Sequence, residues 1–129
     1  MILALLLACG SLNRAPRILS VNGVEVKKDV FGDLWLDEDF VFARGEQEQI
    51  TLDVLEPDLQ KVEVWWPESP PGWNFPKDGL EGTWDVPLDY EPWELYLNLI
   101  VTDTASDPAY SSLTVVYVSE EAYDTAYWF

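Results

Sequence analysis

The 129 residues are enough for one globular domain, and 48% of them are hydrophobic, which is enough to build its core. The 24 acidic side chains outnumber the 7 basic ones, and the net charge of −17 argues against a nucleic-acid partner, because such a surface repels phosphates. With no His and one Cys, the chain lacks the residues for Ser-His-Asp or Cys-His catalysis, an imidazole zinc site or an intrachain disulfide.

The first eight residues, MILALLLA, are apolar and uncharged, and Cys9, Gly10 and Ser11 follow them. A run of this length is too short to cross a bilayer as a helix, which needs about 20 apolar residues. An apolar run that ends in small residues is typical of a secretory signal. The alternative is a buried N-terminal strand whose Cys is inert.

The residues Leu6-Leu7-Ala8-Cys9 resemble the lipobox of bacterial lipoproteins. The resemblance implies that residues 1–8 are a signal peptide and that a lipid on Cys9 anchors the chain to a membrane. It also implies the outer membrane if the source is Gram-negative, because position 10 is Gly and not the Asp that retains such proteins in the inner membrane. Only eight residues precede the Cys and none is basic, so we expect a signal that is truncated or inefficient.

Strand patterns begin after a short tether, which we place at residues 9–16. The apolar segments 18–21 and 24–26 flank Asn22-Gly23. This dipeptide is typical of a two-residue β-hairpin turn, because both of its residues accept a positive φ. The sequence therefore predicts a hairpin at the start of the domain, with an ordinary loop as the alternative.

The next segments lead to the clearest strand in the chain. Short apolar pieces at 34–36 and 40–42 are separated by acidic residues. Beyond them, Ile50, Leu52 and Val54 alternate with polar residues. Alternation with a period of two predicts a strand with one buried face.

The rest of the chain alternates between strand patterns and turns. A Pro-rich loop at 67–76 contains Trp73, and an acidic and aromatic tail occupies 119–129. No long stretch has helical periodicity, so we expect an antiparallel β-sandwich. The later segments with strand patterns are 62–66, 80–86, 95–101 and 111–118.

Four segments resemble bacterial immunoglobulin-like modules of the PKD and cadherin-like type. They are EQITLDVLEPDLQKVEVWW, LEGTWDVP, WELYLNLIVTDTASD and SSLTVVYV, in the order and spacing of the B, C, E, F and G strands. The resemblance covers residues 17–118 and implies an all-β, antiparallel immunoglobulin-like sandwich of about seven strands. It also implies a spacer, adhesion or binding module. The chain lacks the GDG run of PKD domains and the full acidic motifs of cadherins.

Acidic residues at strand ends and turns are candidates for a calcium site. The loops after the expected B and F strands can lie at one end of a sandwich, and Ca²⁺ takes six to eight oxygen ligands. The alternative is that these side chains only cap and solvate loops. The candidate ligands are Asp53, Glu56, Asp58, Asp103 and Asp107.

Three tryptophans are candidates for an exposed aromatic face. Trp65, Trp73 and Trp93 would stack on sugars or anchor a protein interface, because indole rings supply a large contact area. Strand parity places Trp65 outward and Trp66 inward. We expect Trp66 and Trp84 in the core, and burial is the alternative for the three candidates as well.

These patterns predict a non-catalytic, lipid-anchored module of the cell envelope with a structural, adhesive or partner-binding role. The expected partners are the membrane, through the Cys9 lipid, and another envelope protein or a glycan. Two alternatives stay open: a calcium-stabilised extracellular adhesion module, and a carbohydrate-binding module that uses exposed Trp. We predict no catalytic residues, since no pair of carboxylates stands out as a glycosidase pair and Ser111-Ser112 has no base partner.

Overall fold

The computed structural model describes residues 14–56, 61–104 and 109–121. The expected signal peptide, the lipobox with Cys9 and all but the end of the tether therefore lie outside the described residues, as does most of the expected tail. All strands, contacts and distances of the fold belong to these three ranges.

The described residues form eleven strands, several of them very short. Long strands arise where apolar residues alternate, and the two-residue strands lie at the edges of a sheet or form a separate ribbon. In chain order they are β1 (Arg17–Val21), β2 (Val24–Glu25), β3 (Lys27–Lys28), β4 (Leu34–Trp35), β5 (Phe40–Phe42), β6 (Gln47–Leu55), β7 (Val62–Trp65), β8 (Trp73–Asn74), β9 (Glu81–Asp85), β10 (Glu94–Asp103) and β11 (Tyr110–Ser119).

The strands assemble into two main sheets and one small ribbon. The first sheet has the order β2-β1-β6-β9-β8, the second has the order β5-β11-β10-β7, and β3 pairs with β4. Only the pairing of β5 with β11 is parallel among the described strands. With β1, β6, β9 and β8 as strands A, B, E and D, and β7, β10 and β11 as C, F and G, this is the strand division of an immunoglobulin-like sandwich. The predicted fold class is confirmed.

The predicted hairpin at Asn22-Gly23 is present. Asn22 has a φ of 49° and Gly23 a φ of 79°, and Val21 pairs with Val24 across the turn. The Asn22 backbone N–H donates to the carbonyl of Thr51 at 2.8 Å, and the Thr51 N–H donates to Oδ1 of Asn22 at 2.8 Å. These two bonds fix the turn against β6.

The core lies between the inner faces of the two sheets, as the alternation predicts. The polar neighbours of Ile50 and Leu52 point outward, and Trp66 and Trp84 are buried as expected. The sequence pattern leaves the inward face of the last strand open, and the structure assigns it to Leu113, Val115 and Tyr117. The side chains on the inner faces of the three longest strands are Ile50, Leu52, Leu97, Leu99, Val101, Leu113, Val115 and Tyr117.

Trp84 on β9 is the centre of an aromatic cluster. Its ring centroid lies 4.9 Å from that of Phe42, 5.4 Å from that of Tyr117 and 5.5 Å from that of Tyr90. Its indole N–H donates to the carbonyl of Pro71 at 3.0 Å. Burial raises the pKa of Tyr117 to about 12, because the apolar surroundings disfavour the phenolate.

Two boundaries differ from the sequence-based expectation. The Pro-rich loop contains a short strand, β8, which pairs Trp73 with Trp84. The last strand runs to Ser119, a buried residue whose N–H donates to the carbonyl of Trp93 at 2.8 Å. The sheet therefore extends one residue past the domain end that we expected at 118.

Candidate functional site

The outer face of the second sheet carries a row of exposed and half-buried aromatic and aliphatic side chains. The register places Trp65 opposite Ile100, Tyr96 opposite Val116, and Val118 between Glu94 and Val41. Side chains directly opposite each other lie on the same face of a sheet. We call this surface the outer face, and its apolar members are Val41, Trp65, Tyr96, Ile100, Val116 and Val118.

Trp65 occupies one end of the outer face, and its side chain is 44% exposed. The ammonium of Lys77 lies 3.9 Å from the centre of its ring, and Nζ of Lys77 also lies 3.0 Å from Oε2 of Glu63. A cation over an indole face is attracted by the ring quadrupole. Lys77 therefore orients the ring and leaves part of it open to a ligand.

Tyr96 lies farther along the outer face, towards Val118 and Val41. It is four residues from Ile100 along β10, which is about 13 Å at the usual strand rise. Its hydroxyl donates to Oε2 of Glu94 at 2.9 Å, and this hydrogen bond is the main reason why its pKa is raised. The sequence-based candidates did not include Tyr96, although its alternation with the buried leucines of β10 carried the signal.

Polar groups lie between the two rings. Asn98 is exposed on β10, and its Nδ2 donates to Oε1 of Glu68 at 2.6 Å. Its partner across the sheet is Thr114, which is also exposed. The outer face thus combines two aromatic platforms with amide, hydroxyl and carboxylate groups between them.

The expected face of three tryptophans is not formed. Trp73 is partly buried, and its ring centroid lies 5.0 Å from that of Trp66 and 5.8 Å from that of Trp84. It belongs to the core because β8 draws the Pro-rich loop onto the first sheet. Trp93 is 52% exposed but lies seven residues before Ile100, the partner of Trp65, which is over about 20 Å along the strand.

The candidate calcium ligands are only partly described. Asp58 and Asp107 lie outside the described residues. The topology does bring the ends of β6 and β10 to one end of the sandwich, since Arg17 pairs with Leu55 and Asp103 pairs with Val62. Within the described ranges, no three acidic or cysteine side chains form a group that would hold a metal ion.

The three described candidates have separate surroundings. Asp53 is exposed on β6, and Asp103 is buried, with Oδ1 accepting the N–H of Ala109 at 3.3 Å. Asp103 thus closes the turn between β10 and β11. Glu56 lines a depression of about 470 Å³ that also contains Lys61 and Asp78, and the Lys61 ammonium opposes a bound cation there.

The calcium hypothesis predicts that millimolar Ca²⁺ raises the melting temperature of the protein. A ligand that binds only the folded state stabilises it by mass action. The measurement is a thermal melt in Ca²⁺ against one in Mg²⁺ at equal ionic strength. The calcium hypothesis would be contradicted if the melting temperature were the same in Ca²⁺, in Mg²⁺ and in a sample that contains a chelator.

No protein-family model matches this sequence, and no curated protein matches it. One similar structure is a nucleoside hydrolase-related hypothetical protein from Saccharophagus degradans that is associated with carbohydrate metabolism. The two sequences are 15% identical, and the TM-score is 0.58. The match covers 86% of this chain and 27% of that chain. The likeness shows the fold alone. This chain therefore corresponds to 27% of the length of that protein.

A second structure is a chimeric titin Z1Z2 functionalized with a KLER exogenous peptide from decorin. It is 10% identical, with a TM-score of 0.38 over 83% of this chain and 100% of that chain.

In the part of the chain that the structure describes, no helix is both long and apolar enough to cross a membrane.

Proposed function

We propose that this protein is a non-catalytic binding module of the bacterial cell envelope, lipid-anchored at Cys9, that engages another envelope protein through its outer face. The observation that carries the proposal is the exposure of Trp65 and Tyr96 on one face of a fully packed sandwich. Tyr and Trp are the side chains most enriched at the energetic centres of protein interfaces. A folded domain that exposes both on one sheet face has a surface suited to a partner.

The composition supports binding and not catalysis. The chain has no His, and the polar groups of the outer face hydrogen-bond one another, as Asn98 does with Glu68 and Tyr96 with Glu94. General acid–base catalysis needs a group whose proton affinity is tuned near the working pH. Hydrogen-bonded pairs on a broad face suit recognition, since Glu94 orients the ring of Tyr96 and the Asn98–Glu68 pair supplies polar groups between the two rings.

A neutral glycan is the second candidate ligand. Aromatic rings separated by amide and hydroxyl groups match a sugar, which presents both C–H faces and hydroxyls. Trp65, Asn98 and Tyr96 follow one another across the outer face in this arrangement. The net charge of −17 disfavours anionic polymers. The Saccharophagus protein is associated with carbohydrate metabolism, which makes polysaccharides a reasonable first set of probes.

The anchor is tested by the intact mass of the mature protein from the membrane fraction. We expect a chain that lacks residues 1–8 and carries lipid on Cys9, and we expect Cys9→Ser to remain unlipidated and to leave the membrane fraction. Several acyl chains at one residue hold a protein stably, because each buried CH₂ contributes about 0.8 kcal/mol. A wild-type chain that keeps its first eight residues and carries no lipid would contradict the anchor and the envelope location.

The outer face is tested by a double variant, Trp65→Ala with Tyr96→Ala. We expect at least a tenfold loss of affinity for the partner, because truncation of a hot-spot residue typically costs about 2 kcal/mol or more. The measurement is photo-crosslinking to envelope proteins in intact cells from a probe placed at Thr114, together with retention on insoluble polysaccharides in vitro. Loss of the crosslink identifies a protein partner, and loss of retention identifies a glycan.

The matched control is Leu88→Ala with Trp93→Ala, since both side chains are exposed and neither belongs to the outer face. It removes similar apolar area and is expected to leave both signals unchanged. Equal losses in the two double variants, or no loss in either, would contradict a binding role for the outer face.

A further inference from the structure

The turn between β3 and β4 presents two large apolar side chains to solvent. Val30 is 94% exposed and Phe31 is 85% exposed, the two highest values among the large hydrophobic residues of the described chain. We call this pair the apolar tip. Contiguous exposed apolar surface on a folded protein marks protein or membrane interaction sites when it is large enough.

Hydrogen bonds hold the apolar tip in place. Oδ1 of Asp29 accepts the N–H of Phe31 at 2.8 Å and the N–H of Asp33 at 3.0 Å. The Asp29 N–H donates to the Asp33 carbonyl at 2.9 Å, and Gly32 has a φ of 87°, which a glycine adopts without strain. The turn is thus closed on itself, and its geometry directs the two side chains outward instead of folding them onto the sheet.

The apolar tip lies at the end of the sandwich where the chain arrives from Cys9. Oγ of Ser111 donates to the carbonyl of Pro16 at 2.6 Å, which joins the start of β1 to the start of β11. Ser111 also lines a depression together with Gly32 and Leu34 of the β3–β4 ribbon. The described end of the tether, at Pro16, and the apolar tip therefore lie at the same end of the domain.

The tether restricts how far this end can move from the membrane. Arg14 comes five positions after Cys9, and an extended chain spans at most about 3.6 Å per residue, or roughly 18 Å over these five steps. The carboxylates of Asp29 and Asp33 in the turn limit the depth of insertion, and Nζ of Lys27 lies 2.7 Å from Oδ2 of Asp37, with which it forms an ion pair. Four of the seven basic residues of the chain lie near this end. These four are Arg14, Arg17, Lys27 and Lys28.

We propose that Val30 and Phe31 insert into the interfacial layer of the same bilayer that holds the Cys9 lipid. The inference rests on the proposed lipid anchor. Insertion gives the domain a second membrane contact, which fixes its orientation and turns the end opposite the tip away from the bilayer. The side chain of Lys28 lies beside Gly32 of the same turn, and a cation next to an apolar tip suits the headgroup region, where phosphates meet acyl chains.

The experiment uses the full lipidated protein in vesicles of phosphatidylethanolamine and phosphatidylglycerol. The lipid blocks the thiol of Cys9, so Phe31→Cys supplies the one thiol for an environment-sensitive fluorophore. Leu88→Cys is the matched control: Leu88 is 80% exposed and lies beside Gly45, at the opposite end of the sandwich. Both positions are exposed, so neither label disturbs the core.

We expect the label at position 31 to shift its emission to shorter wavelength and to be quenched by lipids that carry a nitroxide near the headgroup. The label at position 88 is expected to show neither change. A position-31 label that behaves like the position-88 label in vesicle-bound, lipidated protein overturns the insertion and leaves the anchor intact. A label that becomes shielded only when envelope proteins are added overturns it in favour of a protein partner. A protein without lipid, detected by mass, overturns the anchor and the insertion together.

Discussion

Replacement of Trp84 by alanine is expected to destabilise the protein by about 3–5 kcal/mol, the range for removal of a buried large aromatic side chain. Trp84 has no exposed surface, and its ring contacts those of Phe42, Tyr90 and Tyr117 in the centre of the core. A domain of this size has about 5–15 kcal/mol of stability in total. The variant should therefore unfold at a much lower urea concentration, measured by circular dichroism or fluorescence.

A second contribution comes from the hydrogen bond between the Trp84 indole and the carbonyl of Pro71. Trp84→Phe keeps an aromatic ring but removes this donor, so we expect a smaller loss than in the alanine variant. Trp93→Ala is the matched control, because its side chain is 52% exposed and is expected to change the unfolding midpoint little. Equal midpoints for Trp84→Ala and Trp93→Ala would mean that the cluster around Trp84 does not hold the two sheets together.

Periodicity predicts those parts of the fold in which a strand has one solvent-exposed face and one buried face. Residues 50–54 alternate strictly, and residues 95–101 alternate except at Ile100; both segments lie in strands with the leucine and isoleucine faces of this alternation turned inward. The Asn22-Gly23 turn was predictable for a different reason, since its chemistry is local. Strand alternation and turn type depend on residues that are close together in the chain, so both can be inferred from the sequence.

Features that depend on distant pairing were not predictable. Trp73 lies in a Pro-rich loop with no alternation, and it joins the core only because β8 pairs with β9, which comes later in the chain. A two-residue strand has no period to detect. The expectation that Trp73 would be exposed failed for this reason, and the contacts of its partly buried ring make it a structural residue.

The candidate sites show the same distinction. Parity correctly placed Trp65 outward but gave no sign that Lys77 would lie over its ring, since that contact depends on how the loop after β8 folds back. Tyr96 was equally available from parity, because it alternates with buried leucines, but the predicted aromatic face consisted of tryptophans alone. The apolar tip at Val30 and Phe31 has no periodic signal at all, and only the hydrogen-bonded turn around it explains its exposure.

Gly72→Ala is the second substitution with a large expected effect, about 3 kcal/mol of lost stability, at the upper end of the common range for single substitutions. Gly72 has a φ of 86°, and a Cβ at this position would lie 2.0 Å from the carbonyl oxygen of Asp85. The left-handed conformation alone costs an ordinary residue about 1–2 kcal/mol. The remainder comes from the backbone, which must separate the turn from Asp85 and so weaken the hydrogen bond from the Asp85 N–H to the Gly72 carbonyl, now 2.9 Å long.

Gly23→Ala separates these two costs. Gly23 has a similar φ of 79°, but a Cβ there would have no atom within 4 Å. The Gly23→Ala variant is therefore expected to lose only about 1 kcal/mol of stability, which is the cost of the left-handed conformation. The free energies of unfolding of the two variants, measured by urea denaturation, should differ by about 2 kcal/mol, which is the steric part. Equal losses would show that the turn before β8 moves away from β9 without cost, and that β8 contributes little to holding Trp73 in the core.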